Sequence, residues 1–185
     1  MLDTRAARPP LQENPLNSRI QRHFAFAVCA ASLSALPASA QFVGQWNDER
    51  HRATLASPDA RYFVSQAECG QANPSATVEL RAFAILRGLA ETSGAIELKR
   101  LVVHPPGQGL GRQILAELIG IAFDQFHAHR FFLDVFDDNL HARHLYQSFG
   151  FIEEGLLREA ALRDGQYCSL RLMSLLDREY AARKP

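Results

Sequence analysis

The stretch Val103-His104-Pro105-Pro106-Gly107-Gln108-Gly109-Leu110-Gly111-Arg112 decides how the rest of the chain is read. The run Ile96-Glu97-Leu98-Lys99-Arg100-Leu101-Val102-Val103 precedes it and reads as a strand. A helical repeat follows over 112–128, with Ile114, Leu115, Leu118, Ile119, Ala122, Phe123 and Phe126 on one broad face. Residues 131–136 then read as another strand. Strand, tight turn, helix and strand make a βαβ unit, so the two strands are expected to run parallel. The glycines of the turn let a ligand approach the backbone closely. The first amides of the helix have no internal partners, and the helix dipole strengthens their attraction for an anion. The segment reads as a pyrophosphate cradle, with a ligand-free βα turn as the plain alternative. A P-loop needs Gly-Lys-Ser/Thr, whereas Gly111 is followed by Arg112-Gln113, so a nucleoside triphosphate site is excluded. A dinucleotide site wants Gly-x-Gly-x-x-Gly and an acid after the next strand. Gly107-x-Gly109-x-Gly111 misses that spacing, while Asp137 and Asp138 meet the second condition.

The segment after the second strand separates the survivors. It runs from Asn139 through Ala142, Arg143, Tyr146 and Gly150 to Phe151 and reads as a helix over 140–148 closed by Gly150. Two strands follow near 155–162 and 167–175, joined by Asp164-Gly165, a hairpin signal. Here the chain resembles the GNAT N-acetyltransferase superfamily, in the branch of ribosomal-protein N-terminal and diamine acetyltransferases. Asn139, Ala142, Tyr146, Gly150 and Phe151 match the family's N-x-x-A-x-x-x-Y-x-x-x-G-F pattern position by position. The resemblance covers about 42–180 and is more specific for the superfamily than for a substrate.

The resemblance implies an α/β mixed sheet whose central parallel strands splay to admit the arm of acetyl-CoA. It implies that acetyl-CoA, as co-substrate, lies along Leu101, Val102 and Val103, across Gly107, Gln108, Gly109, Leu110, Gly111 and Arg112, and beside Asn139 and Arg143. It implies Tyr146 as acid at the leaving thiolate, with packing of an aromatic ring as the bland reading. Glu97 could accept the amine's proton; the alternative is an ion pair with Lys99 or Arg100. Asn139 serves equally well as a helix N-cap. The acceptor is expected to be a small amine or polyamine, or a peptide N-terminus, and a homodimer stays open. Two departures stand out. Pro106 occupies the position where the family has Gln or Arg, and 19–41 does not read as the family's first strand and helix.

The other features bound the class. Lys and Arg total 20 and Asp and Glu total 20, so the net charge of zero argues against a nucleic-acid partner. Cys29, Cys69 and Cys168 are odd in number and lack a CxxC pair, which argues against a disulfide framework or a zinc site. His141 and His144 at i, i+3 read as a solvated face rather than a metal site. Asp134, inside a central strand, needs a partner, and Arg100 is the expected one. Trp46 and Phe42 read as packing residues that could line the acceptor pocket. Residues 1–18 read as disordered, and 1–41 as a segment apart from the domain. Residues 19–40 have the form of an export signal, basic, then apolar, then small-x-small. The apolar run is too short to span a membrane, and a cytosolic co-substrate points to a cytoplasmic protein. Asn47 or Asp48 should cap a short helix over 47–56, and strands at 61–66 and 77–86 should form an antiparallel pair.

Overall fold

The structure is a computed structural model that describes residues 46–66 and 80–184. The signal-like stretch, Phe42, Cys29 and Cys69 lie outside the described residues. Helix α1, Asp48–Ala56, begins at Asn47, whose side chain accepts from the Arg50 amide at 3.0 Å. Strands β1 (Ala60–Gln66), β2 (Leu80–Arg87) and β3 (Ala95–Val103) follow. Helix α2 (Leu110–Gly120) runs on into a π-helical turn, Ile121–Gln125. Then come β4 (Arg130–Phe136), α3 (Leu140–Ser148), β5 (Ile152–Arg163), β6 (Gln166–Leu176) and the short α4 (Asp177–Ala181). The sheet has the order β1-β2-β3-β4-β6-β5, and β3 and β4 are its parallel pair. The mixed sheet and the βαβ unit are thus as the sequence predicts. No helix among the described residues is long and apolar enough to cross a membrane.

The helix after the glycine turn differs from the expected 112–128. Its α-helical part ends at Gly120, and the π turn gives way to coil at Phe126. Wider winding keeps Ala122, Phe123 and Phe126 all buried, and His127 at φ 51° then turns the chain toward β4. Neither Gly nor Pro marks that stop, so the periodic pattern overran it.

Two cores lie on the sheet's two faces. The larger joins Leu86, Ile96, Leu98, Leu115, Leu118, Phe123, Phe131, Leu133 and Met173. The smaller joins Trp46, Tyr62, Phe83, Ile85 and Val102. Strand β3 serves both because it is bulged. Leu86 pairs with Leu98 and Ile85 with Arg100, which leaves Lys99 as the extra residue. Before the bulge, Ile96 and Leu98 face the larger core; after it, Val102 packs in the smaller one. The same bulge lies just beyond the point where β3 parts from β4. These strands pair only through Ala95–Arg130, Ile96–Phe131 and Glu97–Phe132. On the far side β4 pairs fully with β6, from Arg130–Leu176 to Phe136–Leu170.

Gly88 closes the turn between β2 and β3 at φ +82°, where a Cβ would sit 2.4 Å from the Ala95 carbonyl oxygen. Gly165, at φ +77° in the β5–β6 turn, has nothing within 4 Å of a Cβ. Gly88→Ala is expected to cost roughly 2–4 kcal/mol, left-handed strain plus collision, and Gly165→Ala roughly 1 kcal/mol from strain alone. Thermal melts of both variants check this; equal melting temperatures would contradict it.

Candidate active site

The parting of β3 from β4 opens a cleft of about 970 Å³. Its walls are residues 98–103 of β3 and Asp134, Val135 and Phe136 of β4. The glycine turn (Pro106, Gly107, Gly109), the start of α2 (Gly111, Arg112) and α3 (Asn139, Ala142, Tyr146) close one end. Trp46 and Arg50 line it as well.

The glycine turn is shaped as an anion cradle. Gly107 and Gly109 have φ of +84° and +77°, and a Cβ at either would meet nothing within 4 Å, so both glycines border open space. Helix α2 has no side-chain cap at Gly109. Among the described residues, the amides of 107–111 donate to no backbone carbonyl; the first that do are those of Arg112 and Gln113, both to the Gly109 oxygen. Free amides at a helix start, unscreened by side chains, suit a phosphate.

Tyr146 is fixed by the way α3 ends. The Phe151 amide donates to the Tyr146 carbonyl at 3.2 Å and the Gly150 amide to that of Gln147 at 2.9 Å, with Gly150 at φ +95°. This is a Schellman stop, and its usual apolar contact is present, the Tyr146 and Phe151 rings being 5.8 Å apart. The Tyr-x-x-x-Gly-Phe spacing is therefore the geometry that locks the Tyr146 ring at the cleft. Burial, then the charge of Asp134, push its hydroxyl up to about 12, so it stays protonated at neutral pH.

The other face of the cleft is cationic and aromatic. The Arg50 and Arg100 guanidiniums lie 4.3 and 4.2 Å from the Trp46 ring centre. Arg100 is only 7% exposed, and its Nε and Nη1 are buried without a hydrogen bond among the described residues. Behind Trp46 sits His51, fully buried, with Nδ1 2.8 Å from the Tyr62 hydroxyl. Burial, helped by Arg100 and Arg50 against Asp48, lowers His51 to about 4. Burial also lowers Arg100 to about 10, with Arg50 adding to it, so Arg100 remains charged at neutral pH.

Most of the predicted site residues converge. Leu101, Val102, Val103, Gly107, Gly109, Gly111, Arg112, Asn139 and Tyr146 all line the cleft. Gln108, Leu110, Arg143 and Glu97 do not. Gln108 accepts from Arg81 at 2.6 Å, and Arg143 donates to Asp137 and Glu153. Asn139 caps α3, accepting from the Ala142 amide at 3.2 Å, while still facing the cleft. Glu97 accepts from Lys99 at 2.9 Å. Asp134 forms its ion pair with Lys99, at 3.7 Å, and not with the expected Arg100, because the bulge turns Lys99 toward β4 and Arg100 toward Trp46. The sequence favours a structural pair for Asp134 over a catalytic role, yet it is the carboxylate of the described cleft lining. The signal for the bulge was present. Apolar alternation at Ile96 and Leu98 changes phase across the adjacent Lys99 and Arg100.

A family model described as the acetyltransferase (GNAT) family matches residues 34–151. Spermidine N(1)-acetyltransferase of Vibrio cholerae is 31% identical over 86 residues, 45% of this chain and 50% of that protein. Spermine/spermidine N(1)-acetyltransferase of Bacillus subtilis is 41% identical over 67 residues, 35% of this chain and 44% of that protein. The chain thus spans about half the length of the curated relatives it matches. A mutant form of the spermidine/spermine N-acetyltransferase from Vibrio cholerae superposes with a TM-score of 0.70 at 21% identity, over 87% of this chain and 94% of that one. The spermidine N-acetyltransferase from the same organism, in complex with CoA and spermine, gives 0.61 at 24%, over 72% and 75%.

The His51 environment has a pH signature. Unfolded, this imidazole takes up a proton near pH 6.5; folded, it stays neutral down to about 4. The stability it contributes is complete above 6.5 and is lost as pH falls from 6.5 toward 4. By pH 5 the loss should be about 2 kcal/mol, or roughly 4–8 °C in melting temperature. Melts at pH 7 and pH 5 should show a clearly smaller drop for His51→Phe than for the parent; equal drops would contradict the assignment.

Proposed function

The chain belongs to the GNAT acetyltransferase family, and from that premise we propose that it transfers an acetyl group from acetyl-CoA to a primary amine held in the cleft between β3 and β4. The observation that carries the reading is the row of amides at 107–111, without a backbone partner among the described residues, on the cleft that Tyr146 also lines. Such a row fits a pyrophosphate, and the splayed edge of β3 fits an extended, amide-bearing arm. The relatives named for spermidine and spermine acetylation make an aliphatic amine the first acceptor class to consider.

Acetyl-CoA supplies an activated acetyl thioester and, on release, a thiol. The residues must then move two protons. The attacking amine has to lose one, and Asp134 is the carboxylate of the described lining that can receive it. Glu97 has a lesser role in this scheme. Its hydrogen bond orients Lys99, and Lys99 in turn pairs with Asp134. The second proton comes from Tyr146. Full transfer from a hydroxyl near 12 to a thiolate whose acid lies near 8.5 is uphill by about 5 kcal/mol. The charge of Asp134 is one of the two causes of that high value. Once Asp134 has taken the amine's proton, that charge is gone and Tyr146 becomes the stronger acid. The two transfers therefore help one another, in the order the reaction needs. The thiolate is a good leaving group, so the hydroxyl's share is modest.

Tyr146→Phe keeps the ring against Phe151 and removes only the hydroxyl. It is expected to lower turnover about 10²-fold with acetyl-CoA affinity little changed, and Asp134→Asn to lower it about 10²–10³-fold. Glu97→Gln should cost less than 10-fold. Steady-state release of free thiol, with melting temperatures of the same samples, checks all three. Unchanged turnover in a folded Tyr146→Phe protein would reduce that residue to packing. A Glu97→Gln defect larger than that of Asp134→Asn would reverse the assignment of the base.

A further inference from the structure

The walls of the cleft differ from those a polycation would select. Among its described lining residues, Arg50, Lys99, Arg100 and Arg112 face a single carboxylate, Asp134, which Lys99 already shares. An acceptor with several ammonium groups would bring like charges against Arg50 and Arg100. Arg100 carries the stronger argument. It lines the cleft, is 7% exposed, and has Nε and Nη1 buried with no hydrogen-bond partner among the described residues. The Trp46 ring, 4.2 Å from its centre, covers the face of the guanidinium and cannot satisfy the donors in its plane. A buried guanidinium with idle donors is destabilising, and since Nε and Nη1 lie on different edges of the group, a carboxylate on one fork fills one of the two. Its planar fork matches a carboxylate.

We propose that the acceptor is a primary amine that also carries a carboxylate, bound with the amine toward Asp134 and the carboxylate on Arg100. This rests on the acetyl-transfer reading and narrows its substrate class. One acidic and one basic group, both in the cleft lining, complement a zwitterion, and they are poorly matched to a chain of ammonium groups. Arg50, also against Trp46, adds positive charge on the carboxylate side. Water is excluded at Arg100, so discrimination against an acceptor lacking the carboxylate should be large.

The test uses the full-length chain and matched acceptors that differ by the α-carboxylate alone, lysine against diaminopentane and ornithine against diaminobutane, with spermidine as a fifth. Release of free thiol from acetyl-CoA gives kcat/KM for each. The parent protein is expected to favour each amino acid over its diamine by about 10-fold or more. In Arg100→Gln that ratio should fall toward one, and Arg100→Lys should keep part of it. Melting temperatures accompany both variants; if Arg100→Gln fails to fold, the parent's ratio and the Lys variant decide. Preference for diamines or spermidine in the parent overturns the inference and leaves acetyl transfer standing, as does a ratio unmoved in folded Arg100→Gln. Thiol release with none of the five overturns the acetyl-transfer reading and this inference together.

Discussion

Parallel neighbours in a sheet ordinarily satisfy one another's backbone groups along their full length. Here β3 and β4 do so for three residue pairs and then part, with the Lys99 bulge in β3 just beyond the last pair. From Leu98 onward, the edge of β3 that faces β4 has no strand beside it, while β4 is held by β6 on its other side. Buried amides and carbonyls that lose their strand partner need another, from water or from a ligand with amides of its own. The cleft follows from this parting. So does the position of the glycine turn at its mouth, because the strand that diverges is the one that feeds α2. The bulge also exchanges the faces of β3, which puts Leu98 in one core and Arg100 in the wall of the other.

The two ends of the cleft have different electrostatic characters. At the turn the positive potential is made of backbone amides, fixed in direction by helix α2 and unable to titrate. On the Trp46 side it is made of the Arg50 and Arg100 guanidiniums, and Arg100 has two buried donors without a partner among the described residues. Between them stand Asp134 and Tyr146, close enough that the charge of one raises the other. His51 is neutral because burial disfavours its charge and a third cation beside Arg100 and Arg50 would be repelled.

What the sequence made legible is what depends on local chemistry. The cradle was readable because Gly107 and Gly109 permit positive φ and carry no side chain. Tyr146 was readable because its spacing to Gly150 and Phe151 is that of a helix stop. The hairpin at Asp164-Gly165 and the cap at Asn47 follow from the same kind of rule. The charge partners were not readable. Whether Asp134 meets Lys99 or Arg100 depends on one extra residue in β3, which reverses the side on which each emerges. The stop at His127 was missed because tertiary packing of Phe126 and Ala128, rather than a glycine, ends that helix. Arg143 matched no local rule, and the structure engages it with Asp137 and Glu153.

The account depends most on the amides of 107–111 as the seat of a pyrophosphate. Calorimetric titration of CoA and of pantetheine, which lacks the phosphates, into the parent and Gly109→Val proteins addresses it directly. A Cβ at Gly109 meets no protein atom within 4 Å, but valine at φ +77° strains the turn itself, so pantetheine affinity and melting temperature are read beside CoA affinity to separate the two effects. The account predicts that the variant binds CoA about 10²-fold more weakly, with pantetheine binding little changed. Equal CoA affinity in a folded Gly109→Val protein, or equal losses for CoA and pantetheine, would contradict it.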